Sequence, residues 1–187
     1  MVFLEELKLT NLLSFDADGT SLGLRSLNVL IGPNGSGKSN LIEAISLLRS
    51  APAELVVPVR EGGGIRDWIW RGAGRAAAAG IEAVVSYPPG PQPLRYRLAF
   101  TDAGGRLEIT DERIENAHAH GGYPKPYFYF GYEQGRPMLN VRGQRRELRR
   151  EEVDVQRSIL SQRKDPDQYP EITYLGESLG RIRIYRE

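Results

Sequence analysis

Apolar and polar residues change rhythm several times along these 187 residues, and each rhythm points to an element. Leu7 and Leu9 alternate with Glu6, Lys8 and Thr10, a period of two that predicts a strand inside FLEELKLTNLLSF, residues 3–15. DADGTSLG (16–23) is dense in turn formers. LRSLNVLI (24–31) ends in a dense apolar run, which predicts a buried strand. Beyond a glycine-rich stretch, Leu41, Ile42, Ile45 and Leu48 fall at helical spacing over 40–49, and Pro52 stops that helix. EGGGIRDWIWRGAG (61–74) reads as a loop around a short ordered core. Strand-like stretches return at 81–87, 94–100 and 106–114, separated by the turn signals PPGPQP and TDAGG. YPKPYFYF (123–130) begins with prolines and predicts a strand at a sheet edge. Residues 138–141 read as a further short strand, 145–160 as helical in part, 171–179 as a helix, and RIRIY (181–185) as a strand. There is no internal repeat and no low-complexity tract beyond Ala76–Ala79.

This length supports one domain with a real core and room for two lobes. The composition, 40% hydrophobic and 26% charged, is ordinary for a globular protein, and a net charge of +1 provides no bulk field for nucleic acid. The absence of cysteine excludes disulfides and cysteine-based zinc sites, and fits a reducing cytoplasm. The apolar stretches fall short of the roughly 20 residues of a membrane helix, and MVFLEELKL lacks the layout of a signal peptide. The expectation is a cytoplasmic protein without a membrane partner.

The strongest chemistry lies in GPNGSGKS, which fits G-x-x-x-x-G-K-[ST] between a strand-like and a helix-like segment. Gly32, Gly35 and Gly37 are expected to adopt positive φ so that the backbone curls closely around a phosphate. The amides of Gly32, Pro33, Asn34, Gly35, Ser36 and Gly37 (proline excepted as a donor) then line an anion nest at a helix N-terminus. Lys38 should reach the β- and γ-phosphates, and Ser39 should coordinate Mg²⁺.

IGPNGSGKSNLIEAI, with LKLTNLLSF upstream of it, resembles the N-terminal half of a RecF/SMC-like ABC-class ATPase head, where an asparagine follows the P-loop serine as Asn40 does here. That similarity runs over residues 5–49, about a quarter of the chain. More loosely, GGGIRDWIWRGAG, the strands after it and SILSQ are similar to bacterial predicted RecF-like ATPases. The resemblance implies an α/β P-loop NTPase fold, the N-terminal lobe of an ABC-ATPase head with an antiparallel β subdomain. It divides the chain into strands, P-loop and first helix (1–50), an antiparallel β lobe (51–145), and a Q-loop-like segment with a helix (146–187). It implies ATP and Mg²⁺ as cofactors, with Asn40 beside the P-loop set. Gln162 of ILSQ stands where the family's Q-loop glutamine touches Mg²⁺ and the attacking water; the alternative is a residue of a polar surface loop. Lys38 and Gln162 are thus the catalytic candidates, and Ser39 and Gln162 the metal candidates.

Parts of that machine are missing. Four apolar residues followed by Asp-Glu occur nowhere, and in ITDE (109–112) the alternation places Asp111 and Glu112 on a half-exposed hairpin, in solvent. The Leu-Ser-Gly-Gly signature is absent, and ESLGR (177–181) is no substitute. His118 and His120, in AHAHGG, read as polar loop and not as a metal pair or a switch histidine. The expectation is an N-terminal lobe that stops before Walker B and binds ATP without turning it over. The complete protein would hydrolyse Mg-ATP as a dimer of heads, with the missing C-terminal lobe and DNA as further partners, in DNA repair, chromosome maintenance or defence. Rival readings are a nucleotide-gated, non-catalytic binding module and an ABC transporter-type subunit. A small kinase or GTPase lacks its arginine lid or Asn-Lys-x-Asp reader here.

Three further features stand out. Arg142, Arg145, Arg146 and Arg149 fall near one face of a helix, able to grip DNA phosphates or to pair with Glu147, Glu151 and Glu152 on a solvated surface. In IRDWIW a tryptophan could stack on adenine and Arg66 or Arg71 approach phosphates, with at least one of Trp68 and Trp70 in the core. In YFYF (127–130) the phenylalanines should be buried and the tyrosines amphipathic.

Overall fold

The computed structural model describes residues 3–74 and 77–185; Ala76, which opens the alanine tract, lies outside them. Eight strands form one antiparallel sheet: β1 (Leu4–Thr10), β2 (Thr20–Gly23), β3 (Ala79–Val85), β4 (Leu94–Asp102), β5 (Leu107–Asn116), β6 (Phe128–Glu133), β7 (Arg136–Val141) and β8 (Gln144–Glu147), in the order β2-β1-β3-β4-β5-β6-β7-β8. The helices are α1 (Lys38–Ser50), α2 (Val56–Glu61), α3 (Ile65–Trp68), α4 (Ile159–Gln162) and α5 (Pro170–Gly180).

The register lines up the apolar halves of the alternating strands. Leu9 sits opposite Ile81, Ile81 opposite Leu98, Tyr96 opposite Ile114, Ile114 opposite Phe130, and Phe130 opposite Leu139. All are buried, in one cluster with Leu41, Leu47 and Leu48 of α1, Trp68 of α3, Ile159 and Leu160 of α4, and Leu175 and Leu179 of α5. The helices therefore cover one face of the sheet. The other face carries a ladder of charge, with Glu82 between Arg95 (3.4 Å) and Arg97 (3.9 Å), and Glu115 between Arg95 (3.4 Å) and Arg113 (2.5 Å). Alternation in the sequence became one apolar and one charged face.

The strands expected at 81–87, 94–100, 106–114 and 138–141, and the helix at 171–179, are present. Four readings change. The stretch 24–31 forms no strand with any described residue: Leu27, Val29 and Ile31 are 79%, 72% and 90% exposed. A doubly buried strand needs a neighbour on each edge, and among the described residues only the Leu24 amide, bonded to the Glu5 carbonyl at 2.8 Å, meets one. Second, the strand from 123–130 begins only at Phe128, beyond both prolines, so its amides are free to pair on both sides, and β6 lies between β5 and β7 and not at an edge. Third, Arg142–Arg149 is not a helical face. Arg142 (φ 50°) and Gly143 (φ 80°) turn the chain between β7 and β8, and a two-residue turn with two positive φ values favours a hairpin. Fourth, Arg181–Tyr185 alternates but finds no strand edge, and is not a strand.

Trp68 is 1% exposed and anchors the 61–74 segment in the core. Trp68→Ala is expected to lower stability by about 3–5 kcal/mol, read as a drop in the urea midpoint with an unchanged slope.

Candidate nucleotide site

The phosphate loop enters α1 as the motif requires. Gly35 and Gly37 have φ of 81° and 88°, values that a side chain disfavours. Gly32 does not share that conformation, contrary to expectation. Its constraint is space, because a Cβ there would sit 2.8 Å from Ser36 Oγ and 3.9 Å from Lys38 Nζ. The Lys38 ammonium lies in the curl of the loop and donates to the carbonyl oxygens of Gly32 and Pro33, both at 2.7 Å, and to Ser36 Oγ at 3.2 Å. Gly37 caps α1 without a side-chain hydrogen bond, and the first turn holds no acidic residue. Among the described residues the opening amides of this 13-residue helix thus have no side-chain acceptor, and the helix dipole favours an anion beside them. Lys38 adds a full positive charge at the same place. This donor set suits a polyphosphate, with Ser39 and Asn40 on the first turn.

Gln162 ends α4, and its side chain is already bonded. Its Oε1 accepts from the Asp154 amide (2.9 Å), and its Nε2 donates to the carbonyls of Arg157 (2.7 Å) and Asp154 (3.1 Å). These bonds close the 154–157 loop, and no hydrogen bond joins Gln162 to the phosphate loop among the described residues. The α4 segment is fixed to the sheet by Glu112. That carboxylate accepts from Ser158 Oγ (2.5 Å), Tyr96 Oη (2.7 Å) and the Ile159 amide (2.8 Å).

Glu112 was expected in solvent, yet it is 2% exposed. The cause is a bulge. Ala99 pairs with Asp111 while Phe100 pairs with Ile109, so Thr110 is an extra residue and every side chain after it changes face. Ile109 and Ile114, both buried but five residues apart, carried the signal: strict alternation cannot bury both. Asp111 stays on the outer face, 4.0 Å from Arg97.

The remaining candidates fall elsewhere. His118 and His120 lie in an exposed loop, and no cluster of metal-ligating side chains occurs among the described residues. Arg66 pairs with Asp102 at 3.1 Å. Arg145 pairs with Glu133 and Arg146 with Glu152, and the Arg113 and Arg145 guanidinium groups lie 4.8 Å and 5.3 Å from the Phe128 ring centre. The surface-pairing reading of these arginines fits, though by contacts other than helical ones. Phe128 and Phe130 are buried, while Tyr127 is exposed and Tyr129 half-buried.

A family model described as "AAA domain, putative AbiEii toxin, Type IV TA system" matches residues 27–186. The chain belongs to this family. It is an AAA-type P-loop ATPase domain of mixed α/β architecture, built on an eight-stranded antiparallel sheet. Among solved structures, one from "Structural biochemistry of ATP-driven dimerization and DNA stimulated activation of SMC ATPases" superposes with a TM-score of 0.49 and 20% identity, covering 64% of this chain and 73% of its own. No curated protein matches the sequence. No helix among the described residues of this ATPase domain is long and apolar enough to cross a membrane.

Burial pushes the Glu112 carboxyl up from 4.5 to about 7, against the lowering effect of its bonds to Ser158, Ile159 and Tyr96. Between those two values the folded chain holds a proton that the unfolded chain has released. Stability therefore falls as pH rises through that window, by about 3 kcal/mol in total. Glu112→Gln is expected to flatten this part of the profile, measured as urea unfolding free energy at intervals from pH 4.5 to 8.

Proposed function

We propose that this ATPase domain binds the triphosphate of Mg-ATP in the Gly32–Ser39 loop and acts as the N-terminal lobe of a RecF/SMC-like ATPase head. The observation that carries the reading is the uncapped N-terminus of α1 inside a glycine-rich curl with Lys38 at its centre. Lys38 would neutralise the β- and γ-phosphates, Ser39 would hold Mg²⁺, and Asn40 would lie next to them on the first turn. Bound Mg²⁺ would supply charge neutralisation at the phosphates. Gln162 would serve the metal and water only after leaving its bonds to the 154–157 loop.

The exposed run before the loop supports the second half of the reading. Leu27, Val29 and Ile31 are exposed apolar side chains directly before the phosphate loop in sequence, as a surface that a partner covers would be. A C-terminal lobe would pair with this stretch and bring the carboxylate that holds Mg²⁺ through water. Two heads would then close on ATP and separate after hydrolysis, in cytoplasmic work on DNA such as repair, chromosome maintenance or defence. For the chain alone, binding without turnover is favoured by one observation: Asp111 faces Arg97, and Glu112 is enclosed by Tyr96, Ser158 and Ile159.

Lys38→Ala is expected to weaken Mg-ATP binding at least about 100-fold without changing unfolding, since the charged bonds it would make to phosphate are among the stronger ones. Equal affinity of mutant and parent by titration calorimetry would end the P-loop assignment. The full chain should show no ATP turnover above Lys38→Ala. Val29→Lys combined with Ile31→Lys should shift the stability of the chain by no more than about 0.5 kcal/mol, because both side chains already lie in water, and thermal unfolding checks this.

A further inference from the structure

The tryptophan segment lies beside the first turn of α1, where Asp67, Trp70 and Arg71 share a surface depression with Asn40. Trp68 and Trp70, two residues apart, have different fates: Trp68 is core, and Trp70 is half-exposed. Their backbone is stitched to the loop after β1. The Leu13 amide donates to the Trp68 carbonyl (2.7 Å), the Trp70 amide donates to the Asn11 carbonyl (2.9 Å), and Leu12 bridges Ile69. That loop is itself held in an uncommon shape, with Asn11 at φ 50° and Leu13 at φ 56°. A leucine in the left-handed region persists only where its surroundings enforce it, and such residues gather at functional sites. The far end of the loop touches the phosphate site: a Cβ on Gly37 would lie 3.1 Å from Ser14 Oγ and 3.9 Å from Phe15 Cζ.

Beside these contacts lies an open surface depression of about 390 Å³ lined by Leu13, Ser14, Asn40, Asp67, Trp70 and Arg71. Its phosphate-loop wall is Asn40, the residue after the expected Mg²⁺ ligand, and Lys38 is not part of it. The size falls in the range of small-ligand sites. The Trp70 ring lies against Gly72, where a Cβ would fall directly onto its six-membered ring, so any larger residue at 72 would displace it. An aromatic ring backed by Gly72, a carboxylate and a guanidinium thus share one open depression beside the phosphate loop. Arg71 is nearly free in solvent, 3.7 Å from Asp67.

We propose that this open depression takes the nucleoside end of the nucleoside triphosphate whose phosphates occupy the Gly32–Ser39 loop. Trp70 offers its π face to the base, Asp67 accepts from ribose hydroxyls, and Arg71 lies within reach of the phosphate nearest the ribose. The inference rests on the P-loop reading above. It adds that recognition of the base is by stacking, which every base can join, so ATP and GTP should bind with similar affinity.

The experiment compares Mg-ATP with Mg-tripolyphosphate, which has phosphates and no nucleoside, on the full chain. Trp70→Ala is expected to weaken ATP binding by about tenfold and to leave tripolyphosphate affinity unchanged. Trp70→Phe should keep ATP affinity within about threefold, while abolishing the ATP-induced quench of tryptophan emission, because only the enclosed Trp68 then remains. An equal loss of both ligands in Trp70→Ala, with a quench that persists in Trp70→Phe, would make Trp70 structural and overturn the proposal. Undiminished ATP binding by Trp70→Ala would overturn it as well. A parent chain that binds tripolyphosphate no worse than ATP would retain the P-loop reading and remove the nucleoside site. A parent that binds neither would remove both.

Discussion

Ile81, Tyr96, Leu98, Ile114 and Phe130 present their side chains to the same side of an antiparallel sheet, and that side must be kept from water. The register enforces it, because a slip of one residue would exchange the dry face for the ladder of Glu82, Arg95, Arg97, Arg113 and Glu115. The helices take their places from this requirement. The buried side of α1, Leu41, Ala44, Leu47 and Leu48, is committed to the core, so its N-terminus and the glycine loop before it stand at the border of the covered face. The phosphate site is thus a consequence of where the sheet needs a lid.

One departure from strict alternation does as much as the alternation itself. Thr110 is a single extra residue in β5, and it turns Glu112 from the charged face into the core. A buried carboxyl is costly unless its oxygens are hydrogen-bonded, and the partners that satisfy it, Ser158 and the Ile159 amide, belong to the start of α4. The bulge therefore decides where the Gln162 segment sits relative to the sheet. The same burial disfavours the charged form, which links the attachment of α4 to pH.

Beside the nucleotide loop the chain follows the opposite logic. Leu27, Val29 and Ile31 have the composition of a core strand and the surroundings of a surface loop. On the Asn40 side, Trp70 is tied by its backbone to the loop after β1, with its positive φ values, and does not retreat into the core as Trp68 does. These apolar side chains lie in water near the glycine loop, where the proposed partner strand and base would meet them.

Local patterns in the chain were enough to establish the phosphate loop, the α1 helix, the strands at 81–87, 94–100, 106–114 and 138–141, and the helix at 171–179. Each depends on neighbours in sequence: glycines that release the backbone, period two against period 3.6, and turn formers between them. Only the tertiary structure decided the rest. Nothing local shows that 24–31 would lack a partner strand, since pairing depends on which edges remain free. Nothing local separates Trp68 from Trp70, because burial is set by what packs from afar. Arg142–Arg149 satisfied a helical spacing, yet two positive φ values and an adjacent strand edge made it a hairpin. Glu112 was nearly legible in the five-residue step from Ile109 to Ile114, but a bulge can be recognised there only once both are known to face one core.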